Sequence, residues 1–331
     1  FDHEILAVIL QELVLKYDVT PLLHTRFVDI QRDGRRLGPA LVAGASGLEG
    51  LEAKVYVDAS GAGAVARASR CSLLPPGDLG PLPPSLMFFV RERPEAQDRQ
   101  LPEGWFDPVE NREDLPMTSI WPHGPGGKAL KVKVVGFDSG DTVGMSRLEI
   151  RARQRMWEVL DYYQRDPDCG WRFDHCSARI GLRETRRIAG DYVLTVDDLR
   201  AGRGFEDAVA RGVFYLDGMR PDDEKRTYLL SREERIVPPY HIPYRSLIVR
   251  DADNLLMAGR CFSADQLALS SARVMTTCAM MGQAAGVAAA RSAADTGRVR
   301  SIQGTTLRRR LEENGAHLNL NTNPPPSTQS A

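Results

Sequence analysis

The sequence predicts an α/β protein of two units, one split along the chain and the other inserted into it. Three observations carry this expectation. "LEAKVYVDASGAGAVARAS" ends a strand at Val57-Asp58 and turns through Gly61 and Gly63 into a small-residue segment, the strand-to-helix pattern of a nucleotide-binding layer. "LLPPGDLGPLPPS" then makes a proline-rich boundary, after which the texture changes to alternating strands and a charged helix. From His241 the chain returns to short apolar segments and to a helix made almost wholly of Ala, Gly, Met and Gln.

In chain order, Phe1 to Tyr17 carries Ile5, Leu6, Ile9, Leu10, Leu13 and Val14 at the three-to-four spacing of an amphipathic helix. "VTPLLHTRFVDIQRDG" reads as a strand turning near Asp33-Gly34, with a hairpin partner after it. The first unit stops near Leu74. "SLMFFVRER" and "KALKVKVVGF" are strands, the second alternating Leu130, Val132 and Val134 against Lys131 and Lys133. "SRLEIRARQRMWEVLDYYQRD" is an amphipathic helix with Leu148, Ala152, Met156, Val159 and Tyr163 on one face. "ARIGLRETRRIAGDYVLTVDDL" is a compact strand-loop segment, and "IQGTTLRRRLEENGAHL" a terminal helix with Gly315 just past its end. The expected division is 1–75 with 241–318, an inserted α+β unit over 76–240, and a disordered tail over 319–331.

Composition excludes several classes. The 43 Lys and Arg nearly cancel the 44 Asp and Glu, so no global field favours nucleic acid or an anionic membrane. No window reaches the roughly 18 uncharged apolar residues of a membrane span. The 5 cysteines form no CxxC pair, and the 6 histidines form no HxxxH or His/Cys cluster, which argues against a metal site and a disulfide framework. A reducing, cytoplasmic compartment is the default expectation.

The helix after Val274 raises a chemical question. Ala279, Gly282, Gly286 and Ala289 share one face with nothing beyond a methyl, which suggests close approach of another backbone. Its first turn, Met275 to Cys278, offers unpaired N–H groups to a phosphate or a developing negative charge, with Thr276 as a cap and Arg273 as a fixed cation. A buried helix with a structural arginine salt bridge explains the same spacing. "GLRETRRIAG" gathers Arg183, Arg186 and Arg187 around Glu184, either an anion-binding wall or a salt-bridged strand. His123, in the glycine-rich "WPHGPGG", suits a lid or a solvated loop. Tyr244 and Arg245 in "IPYRSLI" either reach substrate or are buried and satisfied.

"NLLMAGRCFSADQLALSSARVMTTCAMMGQAAGVAAA" resembles the C-terminal flavin-binding signature of bacterial FAD-dependent oxidoreductases, of the glutathione-reductase-type flavoprotein superfamily. The resemblance extends to "YVDASGAGAVARAS", "FDHEILAVILQELVLKYDVTPLLHTRFVDI", "SRLEIRARQRMWEVLDYY", "GLRETRRIAGDYVLT" and "IPYRSLI" in the family's order. It implies an FAD/NAD(P)-binding three-layer (ββα) domain with an inserted substrate domain, and FAD as cofactor. It implies Gly259 and Arg260 beside the ribityl and pyrophosphate region, and Arg273, Met275, Thr276 and Thr277 at the pyrimidine edge of the flavin. Gly282 and Gln283 would continue that wall. Asp58, Ala59, Ser60 and Gly61 would form the turn beside the adenosine half, with Val28 meeting the adenine through its backbone.

The implied activity is hydride transfer from a small organic substrate to flavin, reoxidised by a separate electron acceptor. A non-catalytic flavoprotein-like binding module and a nicotinamide-only dehydrogenase are the alternatives. Departures accompany the match. Asp265-Gln266-Leu267 stands where relatives commonly carry Thr-His-Glu, and Ala62 and Ala64 where acidic residues are frequent. The glycine-rich GxGxxG turn and the acidic residue holding the adenosine ribose would precede Phe1. The chain by itself is therefore expected to hold FAD poorly and to aggregate.

Overall fold

Asp2 opens helix α1 (His3–Lys16) by accepting hydrogen bonds from the backbone N–H groups of Glu4 and Ile5, which would otherwise lack partners. In the computed structural model, residues 2–92, 104, 108–166 and 168–321 are described. The helix forms as its spacing predicts, but its apolar face is not a core face. None of its residues is buried, and Ile5, Ile9, Leu10 and Leu13 are 48–59% exposed. Amphipathy chooses which side would be covered, whereas coverage needs a partner element. No residue of α1 belongs to any of the three apolar clusters.

Strands β1 (Arg26–Asp33), β2 (Arg36–Gly44) and β3 (Gly47–Leu51) form an antiparallel sheet in that order. The first turn closes at Asp33↔Arg36 with Gly34 at φ 55°, the left-handed conformation glycine adopts most readily. Ile30, Leu37 and Ala40 bury one face of this sheet. Strand β4 (Tyr56–Asp58) then pairs in parallel with β11 (Leu255–Met257), in the register Leu255↔Tyr56 and Met257↔Asp58. The buried Asn254 carboxamide fastens this junction. It accepts from the Leu37 N–H at 2.8 Å and donates to the carbonyls of Leu37 and Lys54.

After helix α2 (Ala64–Ala68), a second antiparallel sheet contains β5 (Ser85–Glu92), β6 (Thr118–Pro122), β7 (Gly127–Lys133) and β8 (Trp171–Cys176), in the order β6-β7-β5-β8. Period-two alternation gives it two unlike faces. Leu86, Phe88, Val90, Leu130 and Val132 pack against Leu148, Ala152, Met156 and Val159 of helix α3 (Thr142–Gln164). The register Met87↔Lys131 and Phe89↔Ala129 places those residues, with Lys133, Ser119 and Trp121, on the other face.

The largest apolar cluster joins helix α4 (Val196–Arg200), β9 (Ala208–Gly212), β10 (Tyr240–Pro243) and helices α5 (Gln266–Ala272), α6 (Met275–Ala294) and α7 (Gly304–Glu313). β9 and β10 pair antiparallel. Helix α7 ends as the sequence indicates. Gly315 has φ 87°, its N–H bonds to Glu312 O, and the Ala316 N–H reaches Leu311 O, the Schellman arrangement. Within "LRRRL", Arg309 and Arg310 are exposed, but Arg308 is half-buried and donates to Phe205 O at 2.8 Å. The expected tail lies, from residue 322 on, outside the described residues.

One contact in this cluster makes stability depend on pH. Buried His241 accepts the Phe205 N–H at Nδ1 (3.1 Å) and presents Nε2 to Leu318 O. Only the neutral ring with its proton on Nε2 makes both bonds. Burial accordingly holds the imidazole below its ordinary value, with Arg308 and Arg211 acting in the same direction. Below about pH 6.5 the unfolded chain therefore binds the proton that the folded chain refuses. The stability is complete above that pH and is lost as pH falls towards the folded value. His241→Gln is expected to flatten the acid side of a plot of thermal midpoint against pH. An acid limb as steep as the parent's would refute this.

Candidate functional site

The turn from β4 into α2 is organised by one buried carboxylate. Asp58 Oδ1 accepts from the Ser60 N–H (3.1 Å) and Ser60 hydroxyl (2.6 Å), and Oδ2 from the Val65 (2.8 Å) and Ala66 (3.2 Å) N–H groups. It thereby caps α2 from outside the helix, where Gly63 supplies no side chain. Gly61 and Gly63 both have positive φ, a conformation that other residues adopt only with strain. A Cβ on Gly61 would lie 2.5 Å from the Arg260 guanidinium, and one on Gly63 2.8 Å from Ile188. Ala59 and Ser60 remain exposed. Arg260 bonds through its guanidinium to Leu182 O. Next to it, the Cys261 thiol is buried against Asp58 O, and burial pushes it up to about 12, so it is no thiolate nucleophile.

β11 leads through Gly259, at φ 75°, into α5. Asp265 caps α5 at Ala268 N and also accepts from Val196 N. Gln266 donates to Gly80 O and to Glu184 Oε2. The two residues that replace the family's Thr-His pair are thus structural ties. Arg273 closes α5 and forms a 2.9 Å salt bridge with Asp217, whereas its Nε is buried without a hydrogen-bond partner. Burial pulls the Arg273 guanidinium down from its ordinary value and Asp217 opposes that pull.

Helix α6 begins immediately afterwards, and Val274 at its N-cap gives no side-chain bond. Thr276 was expected to cap this end and does not, because it lies inside the first turn. Met275 and Thr276 are exposed and Thr277 is buried. The N-terminus of a 20-residue helix is therefore open, with the positive end of its dipole uncompensated by a side chain. The glycine stripe also needs correction. No atom lies within 4 Å of a Cβ built on Gly282 or Gly286, and both residues, like Gln283, are exposed. Their small size keeps a surface low; no backbone among the described residues packs on it.

The other candidates separate. Arg183 is buried, donating to Pro83 O (2.6 Å) and Ser85 Oγ (2.7 Å). Arg186 pairs with Asp138 on the surface, and Arg187 with buried Glu184. One common arginine wall does not form, since the segment bends at Arg183 and Thr185 and each arginine turns to a different partner. The Tyr244 hydroxyl donates to Val299 O, and Arg245 binds Asp207 through Nε and a terminal nitrogen; both residues line one surface cavity with Tyr192 and Arg300. His123 is in a tight hairpin turn between β6 and β7, not a long lid, with its ring 4.7 Å from that of Phe89. Val28 is 48% exposed where β1 bulges between the pairs Phe27↔Val42 and Asp29↔Leu41.

Asp217 and Lys131 went unmarked in the sequence. The alternation of "KALKVKV" placed Lys131 on a polar face, but nothing local told which elements that face would meet. Among the described residues no group of three His, Cys, Asp or Glu side chains could hold a metal, and no helix is long and apolar enough to cross a membrane.

The model of the family described as FAD dependent oxidoreductase matches residues 1–311. The chain belongs to this family. FAD is its cofactor. No curated protein matches the chain. Similar solved structures include the flavin-dependent brominase Bmp2, at 12% identity and TM-score 0.41, covering 92% of this chain and 57% of that one. Another is the anhydrotetracycline hydroxylase OxyS from Streptomyces rimosus, at 17% identity and TM-score 0.40, covering 90% and 46%. The chain thus spans about half the length of these structures. For the family's cofactor, an open helix N-terminus, a left-handed glycine at Gly259 and a low, side-chain-poor helix face form a chemically fitting set of contacts.

Proposed function

We propose that this protein oxidises a small organic substrate by hydride transfer to FAD, within a three-layer FAD/NAD(P)-binding unit formed by 1–75 and 241–318. The substrate would meet the flavin from the inserted unit over 76–240. The separate core of the second sheet with α3 supports that division, while β9 contributes its side chains to the core of the first unit. FAD, when bound, supplies the hydride acceptor and passes its electrons on to an acceptor from solution. What carries the reading is the open N-terminus of α6 directly beside the buried Arg273.

In this reading Arg273 and the Met275–Thr277 N–H groups hold negative charge at the pyrimidine edge, which grows on reduction. Gly259 lets the backbone approach the ribityl chain, and Arg260 supports the pyrophosphate from the Gly61 side. Gly282 and Gln283 line the adjoining helix face, and Ala59, Ser60 and Val28 the adenosine end. A non-catalytic FAD-binding role is the second reading. It is favoured by one observation: Asp265, Gln266 and Tyr244 are all committed to internal hydrogen bonds.

Arg273→Ala tests the assignment. Because Asp217 would lose its partner, the comparison is made in Asp217→Asn and in the double variant as well. The expected result is FAD affinity lower by about 10- to 100-fold, from a charge-assisted contact of roughly 1.5–3 kcal/mol, and a flavin harder to reduce. Unchanged flavin content and reduction potential in the double variant would remove Arg273 from the cofactor site. Anaerobic bleaching of the flavin by organic substrates would separate the catalytic reading from the binding one.

A further inference from the structure

The face of the second sheet turned away from α3 carries more positive charge than it neutralises. Lys133 is buried there, and its ammonium is taken up by the carbonyls of Arg220, Asp223 and Arg226. Lys131, two residues earlier on the same face, has no such cage. Its ammonium lies 5.3 Å from the centroid of the Trp121 ring and, among the described residues, makes no hydrogen bond or salt bridge. Arg183 reaches the same face through Ser85 Oγ and likewise makes no salt bridge among the described residues. Arg273 is close enough to bear on both, and Asp217, already its partner, is the carboxylate that faces them.

Lys131, Arg183 and Arg273, half-buried or deeper, repel one another in a medium that screens poorly, and Asp217 is the carboxylate that acts on all three. Burial and the neighbouring arginines pull Lys131 down from its ordinary value and Arg183 to about 10. An added anion would relieve this. Beside them on that face are Met87, Ser119 and the 42%-exposed Trp121, and next along it Phe89, whose ring packs on those of His175 and His123.

We propose that Lys131 binds the carboxylate of an organic-acid substrate on this face, with Arg183 and Arg273 supplying the supporting field. The inference rests on the flavin reading for its reaction, but not for its binding test. Benzoate is the probe, because it joins a carboxylate to a ring that the exposed Trp121 can cover. Neutral benzamide has the same shape.

Benzoate and benzamide are titrated into the FAD-loaded protein by calorimetry and tryptophan fluorescence. Benzoate is expected to bind and benzamide to bind at least about tenfold more weakly. Lys131→Met should weaken benzoate by about 10- to 100-fold, the size of a lost charge-assisted contact, with flavin content and thermal midpoint unchanged. Lys131→Arg should restore most of the affinity. Equal binding of the two probes, no benzoate binding at millimolar concentrations, or full affinity in Lys131→Met would each overturn the proposal. So would loss of FAD from Lys131→Met, which would give these cations to the cofactor's own phosphates. Charge-selective, Lys131-dependent binding to a protein that holds no flavin would uphold the anion site while the FAD assignment failed.

Discussion

Gly282→Leu is expected to leave the fold intact and to empty it of FAD. A Cβ at this position meets no atom within 4 Å, and the residue is exposed. Replacing a helical glycine should even stabilise α6 by about 0.5–1 kcal/mol through the helix propensity it restores. The leucine side chain would stand on the low face adjoining the open helix end, where the flavin is proposed to lie. Forcing a branched side chain into such a contact costs about 1–3 kcal/mol or more, a loss of roughly 10- to 100-fold in affinity. Scanning fluorimetry and flavin titration of parent and variant give both numbers. A variant that binds FAD like the parent removes this face from the cofactor site. A variant whose midpoint collapses shows that the face is packed in solution.

Asp58→Ala should have the largest effect on stability. Its carboxylate receives four hydrogen bonds and is 1% exposed, so removal strands the Val65 and Ala66 N–H groups and releases Ser60. Loss of a helix cap alone costs about 0.5–2 kcal/mol, and a buried, unsatisfied donor about 1–3. The expected loss is about 2–4 kcal/mol, with Asp58→Asn recovering part of it because one acceptor oxygen remains. Denaturant midpoints of the three proteins measure this. A loss in Asp58→Ala below about 0.5 kcal/mol, the range of an ordinary surface change, would show that the turn is held by its glycines alone.

The sequence spoke clearly where chemistry is local. The turn after Asp58, the helix after Val274, the alternation of Leu130, Val132 and Val134, and the Schellman glycine at Gly315 each depend on neighbours within a few residues, and each element formed. What stayed illegible was pairing at a distance. Arg273 with Asp217, Glu184 with Gln266 and Lys131 with its arginine neighbours join segments far apart along the chain, and no spacing announces them. Small residues misled for a different reason. Gly282 and Gly286 fit a tight backbone contact and an open surface equally well, because a missing side chain says only that space is wanted. The covering of α1 was equally illegible, since periodicity identifies the apolar side but not what packs on it.

The parallel pairing of β4 with β11 has a kinetic side. Leu255 meets Tyr56 across most of the chain, whereas β1 and β2 meet across a two-residue turn and the second sheet gathers largely from neighbouring segments. Loop-closure entropy makes the long-range contact about 3 kcal/mol harder to form than the hairpin, and contacts of such separation are made late. Asp58 at the end of one strand and Gly259 just beyond the other come into register only at that step. The two halves of the proposed cofactor site are therefore among the last parts of the molecule to assemble and, on partial unfolding, among the first to part. A ligand gripping both ends would act as a clasp on that final closure, slowing its opening while leaving the early folding of the second sheet untouched.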